Sequence, residues 1–206
     1  MEDVLDVYQR PYNSDIPVVC MDEKPYQLLG EKREPLQAKV SFVKKTDSEY
    51  IRNGTCSIFM FVEALGGVRY VEALNQRTKI DFAHQIKKLL EVHYPDKERI
   101  ILVMDNLNTH NISSLYEAFE AQVARSLAKR LEIHHTPVHG SWLNIAEIEL
   151  SALTLGCLGN RIPTLELLNH ELFAWQNYRN LHNNSVNWQF TTDDARSKLK
   201  RLYPKF

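Results

Sequence analysis

Asp22 and Asp105 each close a short apolar run, VVCMD and ILVMD, within a chain of 206 residues. A carboxylate set at the end of a buried strand is costly unless something compensates it. One such acid reads as a strand end facing solvent. Two, on strands that the chain order makes neighbours, repel each other and call for a proton or a cation between them. Hard divalent ions with oxygen ligands, Mg²⁺ first, satisfy that demand. A third acid is expected from a helix packed beside those strands, and the segment WLNIAEIELS offers Glu147 and Glu149. They lie on opposite flanks of an apolar stripe, roughly 160° apart at 3.6 residues per turn. Periodicity leaves the choice between them open.

Elements able to position these acids can be read along the chain. Residues 1–15 read as a polar lead-in and 16–206 as the domain proper. Ile16–Asp22 predicts a buried strand. Residues 30–55 are charged and weakly periodic, which predicts a loop or loose hairpin. Two further strands, Ser57–Leu65 and Val68–Leu74, flank Gly66-Gly67 and predict a hairpin. Thr78 with Asp81 opens a helix that runs to His93. Arg99–Asp105 predicts a central parallel strand. One helix over Ser113–Arg130, a strand over Leu131–Pro137 and a helix from near Trp142 follow. Thr164 caps the next helix, and Thr192–Tyr203 predicts a last one, ended by Pro204. Hairpin first, then strands alternating with helices, implies an α/β fold with a mixed five-stranded sheet flanked by helices. Right-handed crossovers place the Arg99 strand beside the Ile16 strand.

Composition excludes some classes. Hydrophobic residues at 44% and charged residues at 25% suit a globular domain rather than a disordered chain. No apolar run reaches the roughly 18 residues of a membrane span, and the first residues carry no secretory pattern. Cys20, Cys56 and Cys157 are scattered without a CxxC pair, which predicts buried thiols in a reducing cytoplasm. The net charge of −1 is not that of a dedicated DNA-binding domain. The last eleven residues carry Arg196, Lys198, Lys200, Arg201 and Lys205 with no acid, a run expected to be a solvated helix face. The histidines lack HExxH or comparable zinc-ligand spacing.

Three blocks in order, MDE at Met21–Glu23, DNLNTH at Asp105–His110 and TPVHGSWLNIAEIELS at Thr136–Ser151, resemble the catalytic blocks of DDE transposases. The resemblance is to the mariner-related superfamily, in its bacterial insertion-sequence (IS-six-thirty) branch. DEKPYQLLGEKREPL and TTDDARSKLKRLYP also read like this branch, so it covers nearly the whole chain. The family spacing Leu-Asn-x-x-Glu, met by Leu143, Asn144 and Glu147, makes Glu147 the third acid. There are departures: 41 residues separate Asp105 from Glu147, more than in typical mariner members, and Ile145-Ala146 stands where Pro-Ile is common. Intact members also carry helix-turn-helix modules ahead of the first catalytic strand, whereas about fifteen residues precede it here.

The resemblance implies a ribonuclease-H-like fold and two Mg²⁺ ions, with Mn²⁺ as substitute, held by Asp22, Asp105 and Glu147. Such a pair clamps the attacking and leaving oxygens of a phosphoryl transfer. It implies DNA as partner, both transposon ends and target, in a bacterial cytoplasm at the nucleoid; it allows a homodimer and a separately encoded helix-turn-helix segment. His110 is expected either to touch phosphate or orient a ligand, or to be a satisfied structural histidine. Asn106 and Asn144 are expected to hydrogen-bond the acids. Trp142 is expected either to stack on a DNA base or to be a core tryptophan. Glu23 is expected as a salt-bridge or turn residue, and His134 and His135 carry no assigned role. The rival readings are another ribonuclease-H-like nuclease, such as a resolvase, and a silent fragment that has lost its DNA-binding region.

Overall fold

In the computed structural model the described residues are 1–35, 47–182 and 185–203. Lys205 of the basic run, Pro204, and residues 36–46 of the segment expected as a loop lie outside them. The elements are α1 (Glu2–Tyr8), β1 (Val18–Glu31), β2 (Tyr50–Glu63), β3 (Val68–Leu74), α2 (Lys79–Lys88), β4 (Ile100–Met104), α3 (Ser113–Ala118), α4 (Ala121–Lys129), β5 (Leu131–His135), α5 (Ile145–Gly156), α6 (Leu165–Leu181) and α7 (Thr192–Lys198). A π-helical turn over Leu89–His93 extends α2, and a 3₁₀ turn over Ser141–Leu143 leads into α5.

One mixed sheet runs β3-β2-β1-β4-β5. β1, β2 and β3 pair antiparallel, and β4 joins β1 in parallel, as does β5 with β4. Side chains alternate between two cores, because successive strand residues face opposite ways. Cys20, Ile58, Met60, Ile101 and Val103 face α1, α5 and α6; Val19, Met21, Phe59, Leu102 and Met104 face α2, α3 and α4. Among the described residues no helix is long and apolar enough to cross a membrane, and all three cysteines are free.

Where sequence and structure part, the causes are specific. Residues 1–15 hold α1, whose Val4, Leu5, Val7 and Tyr8 are buried at helical spacing. Arg196 pairs with Glu2 through two bonds of 2.8 and 2.9 Å, tying α7 to this helix. β1 does not stop at Asp22 but continues nine residues to Glu31, and β2 begins at Tyr50, so both flanks of the expected loop are strand. The single helix expected over Ser113–Arg130 is two helices. They are broken where Phe119 turns extended and sets its ring against His84 at 5.0 Å.

The open edge of β3 is covered by side-chain amides of α6. Asn180 bonds both the N–H and the C=O of Arg69, Gln176 accepts from Val71 N–H, and Asn169 bonds both groups of Ala73, all at 2.8–3.0 Å. Three amides thus stand in for a sixth strand and satisfy backbone groups that would otherwise invite another chain.

Candidate active site

Register places the two aspartates. The last paired residues of β1 and β4 are Cys20 and Val103. Two residues further along each strand direction stand Asp22 and Asp105, on the same face as Cys20 and Val103. That face is covered by α5, and Glu147 sits in the first turn of α5. Burial, and then the like charges of Asp105 and Glu147, push the Asp22 carboxyl up to about 6. Asp22 thus lies within electrostatic reach of both Asp105 and Glu147.

Asn144 fixes where α5 begins. Its Oδ1 accepts from Ala146 N–H at 3.1 Å as the N-cap, and its Nδ2 donates to Met21 C=O at 2.8 Å. The expectation that it hydrogen-bonds the acids is thus corrected: it binds the backbone beside Asp22 and anchors the helix that carries Glu147. Asn106 is exposed and makes no hydrogen bond to the acids among the described residues.

Glu149 points elsewhere. It is 1% exposed and lies between Arg69 of β3 and Arg179 of α6. Burial raises its pKa, but hydrogen bonds from both guanidiniums outweigh this and hold the carboxyl below its usual range. An acid so neutralised is a structural ion pair.

His110 is fully buried beside Phe82, with ring centroids 5.0 Å apart. Its Nδ1 bonds Asp105 Oδ1, and its Nε2 lies 3.1 Å from Glu23 Oε1. Burial disfavours the imidazolium, but these two carboxylates outweigh it and raise the histidine to about 9. In turn, the burial that would raise Asp105 is overcome by His110, and its carboxyl stays below the usual range. The side chain has no exposed surface to offer a phosphate, and its Nδ1 is engaged by Asp105.

Glu23 is the ion-pair residue expected and not a turn residue, since β1 runs on through it; its partner His110 stayed hidden because ending the strand at Asp22 conceals which face Glu23 takes. The signal was the continued alternation into KPYQLL, which sends Glu23 to the face opposite Asp22. Trp142 is 41% exposed rather than a core residue. Its ring stacks on Trp188 at 6.4 Å and meets Phe190 edge-on at 5.8 Å. His134 ties α1 to β5 by bonding Asp3 at 2.8 Å, and His135 lies 3.2 Å from the Asp105 carbonyl.

The donor chemistry fits a hard divalent cation. Asp22 Oδ1 accepts from Glu23 N–H at 2.7 Å, and Asp105 Oδ1 accepts from His110 and, at 3.4 Å, from Leu107 N–H. Oδ2 of each aspartate makes no hydrogen bond among the described residues, which leaves a carboxylate oxygen available on both. The side chains are not closed into a ready-made cage: among the described residues no three acids, histidines or cysteines stand as a complete metal-holding group.

A sheet of this order, with acids at the adjoining ends of two parallel strands and on the covering helix, defines a ribonuclease-H-like nuclease fold. Residues 17–169 match the family described as DDE superfamily endonuclease, and the chain belongs to that family. Among solved structures it is similar to a pre-cleavage Mos1 transpososome (TM-score 0.59, 17% identity, covering 100% of this chain and 61% of that one). It is also similar to the mariner Mos1 paired end complex with Mg (TM-score 0.58, 19% identity, 89% of this chain and 56% of that one). The catalytic domain of Mos1 mariner transposase gives a TM-score of 0.56 at 15% identity, with 89% of this chain and 83% of that one covered. The chain thus spans 55–61% of the length of the first Mos1 chains it matches. No curated protein matches it.

Proposed function

We propose that this chain is the catalytic domain of a bacterial insertion-sequence transposase of the IS-six-thirty branch, which cuts transposon ends and joins them to target DNA. One observation carries the reading: β1 and β4 bring Asp22 and Asp105 to one face, under the helix whose first turn holds Glu147. Asp22, Asp105 and Glu147 are the catalytic acids and would hold two divalent ions, Mg²⁺ or Mn²⁺. When bound, such ions polarise the scissile phosphate and acidify a water.

The chain's own side chains do the positioning. His110 holds Asp105, and Asn144 holds the start of α5 against β1. Cleavage forms a phosphorus–oxygen bond to water and releases a 3′-hydroxyl; in the joining step that hydroxyl attacks a target phosphate and displaces another. The exposed ring of Trp142, backed by Trp188, offers a stacking surface for a base at the cut end. DNA, both element ends and target, is the partner, met as a homodimer in the bacterial cytoplasm at the nucleoid. A helix-turn-helix segment outside these 206 residues supplies grip on the terminal repeats, since the net charge here is −1.

The test is a nicking assay on a labelled element end, with and without an added helix-turn-helix segment. Cleavage should need Mg²⁺ or Mn²⁺ and vanish in Asp105→Asn and Glu147→Gln. Tight, repeat-specific binding by these residues alone would overturn the division of labour. Absence of cleavage in every combination would favour a silent fragment.

A further inference from the structure

Glu23 takes no part in the set of acids proposed to hold metal, yet its side chain is 1% exposed. It leaves β1 on the face opposite to Asp22, among the side chains that pack on α2 and α3. Its Oε1 meets His110 Nε2 at 3.1 Å, and the other nitrogen of the same ring meets Asp105 Oδ1. Its Oε2 is buried without a hydrogen bond, with Arg77 Nη1 at 3.9 Å. A carboxylate kept buried and half satisfied is a net cost to the fold. Retaining it makes physical sense if the charge serves a neighbour.

That neighbour is the imidazole. With a carboxylate at each nitrogen, the ring has one orientation that satisfies both, and Phe82 packs beside it. Removing Glu23 would leave a buried N–H of His110 without a partner and free the ring to turn away from Asp105.

The geometry points to Glu23 as a positioning residue that acts through His110 to fix the Asp105 carboxylate, keeping Oδ1 engaged inside the protein and presenting Oδ2 to the acid cluster. Adjacent residues of β1 thereby divide the work. Asp22 faces the site, and Glu23 reaches the second aspartate from the far side of the sheet. The inference rests on the reading of Asp105 as a metal ligand given above.

Titration of the 206-residue protein with Mn²⁺, followed by calorimetry, tests it, with melting in EDTA as a separate measure of fold. Glu23→Leu fills the space but removes the hydrogen bond, and Mn²⁺ affinity should fall about tenfold, the lower end for partners of metal ligands. Glu23→Gln keeps an oxygen facing His110 and should recover most of that loss. His110→Asn keeps a donor toward Asp105 but cuts the link to Glu23. Adding Glu23→Leu to it should then cost no further affinity, because the two act as one unit. Should Glu23→Leu fail to melt cooperatively, Glu23→Asp, which shortens the reach, takes its place with the same expected loss. A lower melting temperature with unchanged Mn²⁺ affinity, or losses that multiply in the double variant, would overturn the relay. Asp105→Asn separates the two readings. If it leaves Mn²⁺ binding intact, the metal site itself is wrong and the relay falls with it. If it abolishes binding while Glu23→Leu binds normally, only the relay falls.

Discussion

Arg69 and Glu149 form a bidentate ion pair in the protein interior, with Nε to Oε2 at 2.7 Å and Nη2 to Oε1 at 2.9 Å. Arg179 adds a third contact at 2.7 Å, so one carboxylate joins β3, α5 and α6. Removing one member of such a group leaves buried charge uncompensated and costs about 3–5 kcal/mol. Glu149→Ala should therefore destabilise the protein by that amount in urea denaturation. Glu147→Gln, at a half-buried position with no ion-pair partner among the described residues, should change stability by about 0.5 kcal/mol or less. Equal losses from the two would erase the distinction between the structural glutamate and the one proposed to be catalytic.

Asp22 gives a pH signature in metal-free buffer. Its folded-state value of about 6 lies above the ordinary carboxylate value, so the native state holds a proton more tightly than the unfolded chain. Stability is then lost as pH rises through the window from about 4 to 6. Asp22→Asn escapes that loss. Its advantage over wild type should open from near zero below pH 4 to about 1–3 kcal/mol above pH 6. Denaturation in EDTA at several pH values measures it; a gap that stays constant with pH contradicts the assignment.

Much of this site was legible in the residues and some was not. The hydrophobic runs around Asp22 and Asp105 revealed two buried strands, and their neighbourhood followed from chain order and handedness. Asn144 was legible as a type but not as a role, since an asparagine before a helix can bond an acid or cap the helix. Here it caps. The choice between Glu147 and Glu149 was invisible to periodicity because it depends on Arg69 and Arg179, which lie 80 and 30 residues away in sequence. Helix α1 was passed over because its acids outweighed Val4, Leu5, Val7 and Tyr8, although those four already lay on one helical stripe.

Asn144→Ala should cost about 1–2 kcal/mol, the value of a helix N-cap. The loss should exceed that of Asn144→Asp, which keeps the capping oxygen but cannot donate to Met21. Thermal melts of the two variants rank them, and the reverse order would show that a carboxylate set against the Met21 carbonyl costs more than the lost cap.

Trp142→Ala should leave Mn²⁺ affinity and melting temperature near wild type, since the ring is 41% exposed and far from fully packed. Its effect should fall on DNA ends with an unpaired base, at about 1–3 kcal/mol for a lost base stack. Fluorescence titration with blunt and single-stranded-tailed duplexes separates the two. An equal loss on both would point to phosphate contacts.

The three amides of α6 that sit on β3 also restrict how this chain can change in length. Asn169, Gln176 and Asn180 engage Ala73, Val71 and Arg69 in reverse order, so the helix is keyed to the strand at three points. A single residue inserted between Asn169 and Asn180 would turn everything beyond it by about 100°. The keys past the insertion would miss, baring backbone at the sheet edge. Length changes of evolutionary or engineered origin should therefore collect in the connections on either side of α6 and spare its interior.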